Sequence, residues 1–159
     1  MSEPVVREDQ IDKPALLRRA GIFAELAQED VEALAKLARV AVYPAGDEII
    51  EEGAEFDEET DGIFVIVDGA VEVRTGTKDG AEGRLLVKLG PGEFFGEMAL
   101  LDGRPRSASV TAVDETQCLV LHRWDFLREL RKNPEIAVAM LSVLSGRIRA
   151  TNEALGRPE

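Results

Sequence analysis

The feature that most constrains this chain is the series of short, β-branched segments between Val40 and His122. Segments such as VAVYPAGDEII, GIFVIVDGAVEVRT and SASVTAV are rich in β-branched residues, and Gly, Pro or Asp residues separate them. Many short strands with regularly spaced turn residues favour a barrel or jelly roll over alternating βαβ units. We therefore predict an antiparallel β-roll over residues 40–122.

Helical periodicity flanks this region on both sides. Apolar residues repeat at spacings of three and four, which predicts N-terminal helices within residues 13–39 and two C-terminal helices within 123–155. Residues 1–12 show little periodicity and are predicted to form a mobile tail, and 156–159 follow the predicted helix stop at Gly156. The prediction is a mainly β, jelly-roll-like fold with flanking helices, in one domain over residues 13–155.

Composition limits the classes of function. The formal net charge is −12, from 31 acidic and 19 basic residues, which opposes binding of nucleic acid by this chain alone. The longest apolar run, Ile136 to Leu141, is too short to cross a bilayer, and no signal peptide is visible, so we expect no membrane association. Cys118 is the only cysteine, which favours a cytoplasmic location and a packed, unreactive thiol.

One segment, FFGEMALLDGRPRSASV, carries the residues expected of a binding site. A short helix predicted to begin near Gly96 exposes unpaired backbone N–H groups, and Gly96 has no Cβ to keep an anion away. The Arg106 guanidinium can clamp two phosphate oxygens, and Ser107 can add a further hydrogen bond. This pattern predicts a phosphate site.

Glu97 narrows the choice of ligand. An ionised carboxylate only accepts hydrogen bonds, so it suits a ribose 2′-hydroxyl and repels a second negative charge. Arg106 together with Glu97 therefore favours a ligand with one phosphate charge and a free 2′-hydroxyl. A 3′,5′-cyclic nucleotide meets both conditions.

The segment FGEMAL followed by RSA resembles the phosphate-binding cassette of cyclic nucleotide-binding domains. The resemblance runs from about Leu16 to Leu155 and includes YPAGDEIIEEG and IVDGAVEV. It implies a non-catalytic sensor without a cofactor, which binds cAMP or cGMP and signals by movement of its C-terminal helices. The residues expected to hold phosphate and ribose are Gly96, Glu97, Met98, Ala99, Arg106 and Ser107.

The resemblance also implies contacts to the base. The final helix resembles the subunit-pairing helix of the catabolite-activator branch, in which the positions of Thr151 and Asn152 contact adenine. These two residues favour cAMP, whereas the Ser107 hydroxyl can also serve the guanine amino group, so cGMP remains a candidate. Further base contacts are expected from Val73, Val87, Leu89 and Ala108.

An apolar stripe on the final helix fits two interpretations. Its members recur at alternating spacings of three and four: Leu141, Leu144, Ile148, Thr151 and Leu155. The stripe either pairs two subunits in a homodimer or packs back onto the roll. Only four residues follow Leu155, so no DNA-binding helix-turn-helix is expected in this chain, and the effector is unknown. Two alternatives stay open: an interaction module with an unused pocket, and the sensor half of a Crp-type transcription regulator.

Two metal interpretations are weaker. A cupin-like metal enzyme usually draws on several histidines, and His122 is the only histidine. In the acidic stretch EFDEETDG, residues Asp57, Glu59 and Asp61 lie near EF-hand spacings, but a strand-like segment follows where a helix is required. We predict no metal site and no enzymatic activity.

Overall fold

A computed structural model describes residues 6–55 and 61–158. The helices are α1 (Lys13–Arg19), α2 (Gln28–Leu37), α3 (Glu97–Asp102), α4 (Arg123–Lys132) and α5 (Glu135–Ala154). The strands are β1 (Arg39–Tyr43), β2 (Glu48–Ile50), β3 (Gly62–Asp68), β4 (Val71–Thr75), β5 (Arg84–Leu89), β6 (Phe94–Phe95), β7 (Ser109–Ala112) and β8 (Thr116–His122).

The strands form two antiparallel sheets, with the orders β1-β8-β3-β6 and β2-β7-β4-β5. An apolar core fills the space between the sheets, and a second core lies between the first sheet and the helices. The predicted antiparallel roll with flanking helices is confirmed.

Strand β3 separates the two cores, which explains why its sequence is continuously apolar. Phe64 and Ile66 belong to the core between the sheets, whereas Ile63 and Val65 pack with the helices. Because both faces of β3 are buried, no polar alternation is needed. Each such side chain contributes about 1.5–3 kcal/mol by burial. The strand thereby holds its first residue, Gly62, at a fixed place beside α3.

Helix α5 divides into a packed half and an exposed half. Ile136 and Met140 of the N-terminal half are buried in the helical core, whereas no residue from 145 to 154 is buried and Ile148 is 62% exposed. The C-terminal half of α5 is therefore attached to the domain by few contacts. Among the residues described, no helix combines the length and the apolar character that a membrane span requires.

Val6, which lies in the predicted mobile tail of residues 1–12, contacts the roll. The backbone N–H of Val6 donates to the Gln117 side-chain oxygen (2.9 Å), and the Gln117 amide donates to the Val6 carbonyl (2.6 Å). Gln117 is 1% exposed, so Val6 satisfies a buried amide. Sequence periodicity does not report this contact because the two residues lie 111 positions apart.

Candidate functional site

A cleft of about 440 Å³ opens between strand β6, helix α3 and the start of strand β7. The whole predicted cassette lines it, together with part of the predicted base site. The predicted residues that it brings together are Val73, Gly96, Glu97, Met98, Ala99, Arg106, Ser107 and Ala108.

Gly96 shapes the entry to helix α3. Its φ of +86° lies in the left-handed region, which side chains disfavour, and an added Cβ would clash with the Gly62 carbonyl oxygen. Glycine is therefore required here on two grounds. The turn that it permits places the first residues of α3 on the lining of the cleft.

Arg106 is the buried cation of the cleft. The residue is 7% exposed, and its Nη2 lies 3.4 Å from Oδ1 of Asp61. Its backbone is also held, because Arg106 N–H donates to the Ala54 carbonyl (3.1 Å) and its carbonyl accepts from Gly53 N–H (2.7 Å). Burial lowers the pKa of Arg106, while the charges of Asp61 and Asp102 oppose this change. A guanidinium stays charged under such shifts.

Asp61 supplies the counter-charge for Arg106. It is 2% exposed, and its Oδ2 is buried without a hydrogen-bond partner in residues 6–55 and 61–158. Asp61 was one of the candidate calcium ligands, but its carboxylate is paired with Arg106. Strand β3 also begins at Gly62, where an EF-hand requires a helix. Asp57 and Glu59 lie outside the described residues. Within the described ranges, no group of three or more His, Cys, Asp or Glu could hold a metal ion.

Glu97 links the cleft to the final helix. Its side chain is 12% exposed and forms an ion pair with Arg147 of α5 through Oε1. Its other oxygen, Oε2, is buried and has no hydrogen-bond partner in the part of the chain that the structure describes. A buried acceptor of this kind costs free energy unless a donor reaches it. Glu97, a residue of the cleft lining, therefore carries one buried acceptor for which the described chain supplies no donor.

The residues around helix α3 are buried on its inner side and exposed at the cleft opening. Leu100 is buried, and Arg123 donates to its carbonyl (3.1 Å), which holds the C-terminal end of α3. Ala99 is also buried, whereas Met98 is 68% exposed and Ser107 is exposed at the cleft. Helix α3 is thus held in place on its buried side and is accessible to a ligand on its solvent-exposed side.

The family model for the cyclic nucleotide-binding domain matches residues 40–133, which contain the roll, the cleft and α4. This chain belongs to the cyclic nucleotide-binding domain family. The match covers every predicted site residue except Thr151 and Asn152.

Relatives of this cyclic nucleotide-binding domain have different outputs. The CRP-like cAMP-activated global transcriptional regulator of Mycobacterium tuberculosis is 35% identical over 141 residues, 88% of this chain and 60% of the regulator. A cyclic nucleotide-gated potassium channel of Mesorhizobium japonicum is 36% identical over 135 residues, 85% of this chain and 35% of the channel. The N-terminal domain of a transcriptional regulator from Streptomyces coelicolor matches with a TM-score of 0.76 and 32% identity, covering 91% of this chain and 98% of that domain.

Four predicted base contacts do not line the cleft of this domain. Val87 is 44% exposed on β5, which β4 separates from β7, and Leu89 packs against the core between the sheets. Thr151 and Asn152 lie on the last turns of α5, where the Thr151 hydroxyl donates to the Arg147 carbonyl (2.9 Å). Contact of these four residues with a base stays a prediction.

Sequence reasoning missed two residues of the site. Arg147 lies four residues before Thr151, so it shares a face of α5 with a residue that was predicted to bind the base. That spacing was an available signal. Asp61 had no comparable local signal, because its partner Arg106 lies 45 residues further along the chain.

Proposed function

We propose that this domain is a non-catalytic sensor that binds cAMP in the α3 cleft and signals through its C-terminal helices. The observation that carries the proposal is the pair of groups on the cleft: the buried guanidinium of Arg106 and the buried acceptor Glu97 Oε2. A cyclic phosphate brings one negative charge to Arg106, and a ribose 2′-hydroxyl brings a donor to Glu97. A phosphomonoester adds a second negative charge beside Glu97, and a 2′-deoxynucleotide lacks the donor.

The α3 cleft is assigned as the ligand site because of its charged groups, not because of its volume. A larger depression of about 710 Å³ lies between α2 and the N-terminal residues, but its three carboxylates, Glu8, Asp9 and Glu32, outnumber its two lysines, Lys13 and Lys36. Carboxylates repel an anionic ligand, whereas convergent polar groups of suitable charge distinguish a binding site. The smaller cleft, with its buried arginine, is the better phosphate site.

The Glu97–Arg147 ion pair suggests how ligand binding reaches α5. A nucleotide that engages Glu97 changes the surroundings of the residue to which Arg147 is tied. Movement of the exposed half of α5 toward the cleft would bring Thr151 and Asn152 to the base, and we assign cAMP rather than cGMP on those two polar groups. The ligand shifts this equilibrium only by its difference in affinity for the two positions of α5.

We further propose that a second copy of the chain pairs along α5. Leu141, Ile148 and Leu155 are 64%, 62% and 59% exposed, so packing of the stripe onto the roll does not account for these three residues. Leu144 alone among the leucines of the stripe packs partly against the helical core. Exposed apolar stripes mark interaction surfaces. Light scattering of the parent and of Ile148→Glu tests the pairing, and a monomeric parent would contradict it.

As a second candidate, the chain supplies the sensor part of a transcriptional regulator, which the two regulators described above favour. The net charge of −12 opposes DNA binding by this chain alone, so the candidate requires a separate DNA-reading domain. The cytoplasmic location expected from the cysteine content stays a prediction.

Calorimetric titration with cAMP and with cGMP tests the proposed function. Arg106→Leu should weaken cAMP binding by roughly 2–5 kcal/mol, about 30-fold or more. Arg131→Leu, at an exposed position of α4, is the matched control and should bind like the parent. Equal affinity of Arg106→Leu and parent would refute the phosphate assignment. A cGMP advantage would overturn the choice of cAMP, and no binding of either nucleotide would favour a module with an unused pocket.

A further inference from the structure

We propose that Glu52 is a positioning residue of the phosphate site. Glu52 does not belong to the cleft lining, but it joins three segments of the roll: the turn after β2, the β4–β5 connection and the start of β7. The proposal rests on the proposed cyclic-nucleotide function, since it concerns how the phosphate-binding arginine is held.

Glu52, Thr77 and Ser109 form a closed ring of hydrogen bonds. The Glu52 backbone N–H donates to Ser109 Oγ (2.9 Å), and the Thr77 hydroxyl donates to Glu52 Oε1 (3.0 Å). The two hydroxyl oxygens are 2.7 Å apart. Because the single Thr77 proton goes to the carboxylate, the Ser109 hydroxyl donates to Thr77. Each member of the ring both donates and accepts, which strengthens the bonds cooperatively.

The ring lies directly beside the backbone of Arg106. The two residues after Glu52 bind both polar groups of the Arg106 main chain: Gly53 N–H donates to its carbonyl (2.7 Å), and the Ala54 carbonyl accepts from its N–H (3.1 Å). Ser109, which is 3% exposed, follows Arg106 by three residues and is the first residue of strand β7. The ring therefore fixes the turn that is bonded to the Arg106 backbone and the strand that continues from Arg106.

The chemistry of Glu52 suits this role. Its pKa is lowered, chiefly by the hydrogen bond from the Thr77 backbone, with further contributions from the Thr77 hydroxyl, the Gly76 backbone and the charge of Lys78, while burial opposes the change. The carboxylate is therefore ionised at neutral pH and accepts several donors at once. A binding group needs such support, because small errors in its position lose affinity.

Calorimetric titration with cAMP of the parent, Glu52→Ala and Glu52→Gln tests the proposal. Glu52→Ala removes the acceptor, and we expect about tenfold weaker binding. Glutamine keeps a carbonyl oxygen for the Thr77 donors, so Glu52→Gln should stay within about threefold of the parent. Glu51→Ala, at the exposed neighbouring glutamate, is the control and should bind like the parent.

A double-mutant cycle separates positioning from general loss of stability. If Glu52 acts through Arg106, then Glu52→Ala should cause no further loss of affinity in the Arg106→Leu background. An equal loss in both backgrounds would refute the proposal. Should Glu52→Ala fail to fold, Thr77→Val breaks the same ring and should also weaken binding. Parent-like binding of Glu52→Ala and Thr77→Val would overturn the role of Glu52 but leave the proposed function intact. A parent that binds no cyclic nucleotide would overturn both the role of Glu52 and the proposed function.

Discussion

Replacing Asp61 with asparagine measures how far the phosphate site depends on its buried counter-charge. The side chains of Asp61 and Arg106 are 2% and 5% exposed, so solvent screens their ion pair very little. Removing one partner of a buried ion pair costs about 3–5 kcal/mol, because the remaining buried charge loses the compensation that this partner supplied. Asparagine keeps the shape and one acceptor, so we expect the lower end, about 3 kcal/mol. At about 2–4 °C per kcal/mol for a domain of this size, Tm should fall by about 6–12 °C.

A bound phosphate should reduce this loss. The cyclic phosphate brings a negative charge to the same guanidinium, so Asp61→Asn should destabilise the cAMP-saturated protein less than the free protein, by about 1 kcal/mol or more. Urea unfolding with and without saturating cAMP gives both values, and Asp114→Asn, in the exposed turn between β7 and β8, is the control. The reasoning fails if Asp61→Asn unfolds like the parent. It also fails if the loss is the same with and without cAMP, because the phosphate would then not reach Arg106.

Two further predictions concern single residues of the helix and the roll. Gly146 lies inside α5, and an added Cβ would meet nothing within 4 Å, so Gly146→Ala should raise the free energy of unfolding by about 0.5–1 kcal/mol. A decrease in urea unfolding experiments would show that α5 requires the glycine. Burial raises the pKa of the Cys118 thiol to about 12, so iodoacetamide should label it at pH 8 only after unfolding, and rapid labelling of the native protein would contradict this. The unfolded thiol ionises at about pH 8.5, so above that pH the folded state keeps a proton that the unfolded state has lost. Cys118 should therefore lower the free energy of unfolding as the pH rises from about 8.5 toward 12.

The strands and helices of this domain could be predicted because their signals are local. The segment GIFVIVDGAVEVRT contains β3 and β4, and Gly69 marks the turn between them. That Gly96, Glu97 and Arg106 line one cleft could be predicted for the same reason, since they lie within eleven consecutive residues. Local sequence patterns were therefore sufficient to predict both the β-roll and the grouping of the cassette residues.

The contacts that complete the site are non-local and escaped prediction. The Asp61–Arg106 and Glu97–Arg147 pairs join residues 45 and 50 positions apart, and only the topology of the roll and the path of α5 bring them together. Val87 lies opposite Val73 in the sheet but outside the cleft lining, so its contact with a base stays a prediction.

Competition between cAMP and 2′-deoxy-cAMP, measured on the parent and on Glu97→Ala, tests the central claim most directly. A hydrogen bond to a charged acceptor contributes about 1.5–3 kcal/mol, so the parent should bind cAMP about 10- to 150-fold more tightly than the deoxy analogue. Glu97→Ala should bind the two nucleotides about equally, because the acceptor Oε2 is gone. A parent that does not discriminate, or a discrimination that survives in Glu97→Ala, would contradict a site built for a cyclic phosphate and a free 2′-hydroxyl.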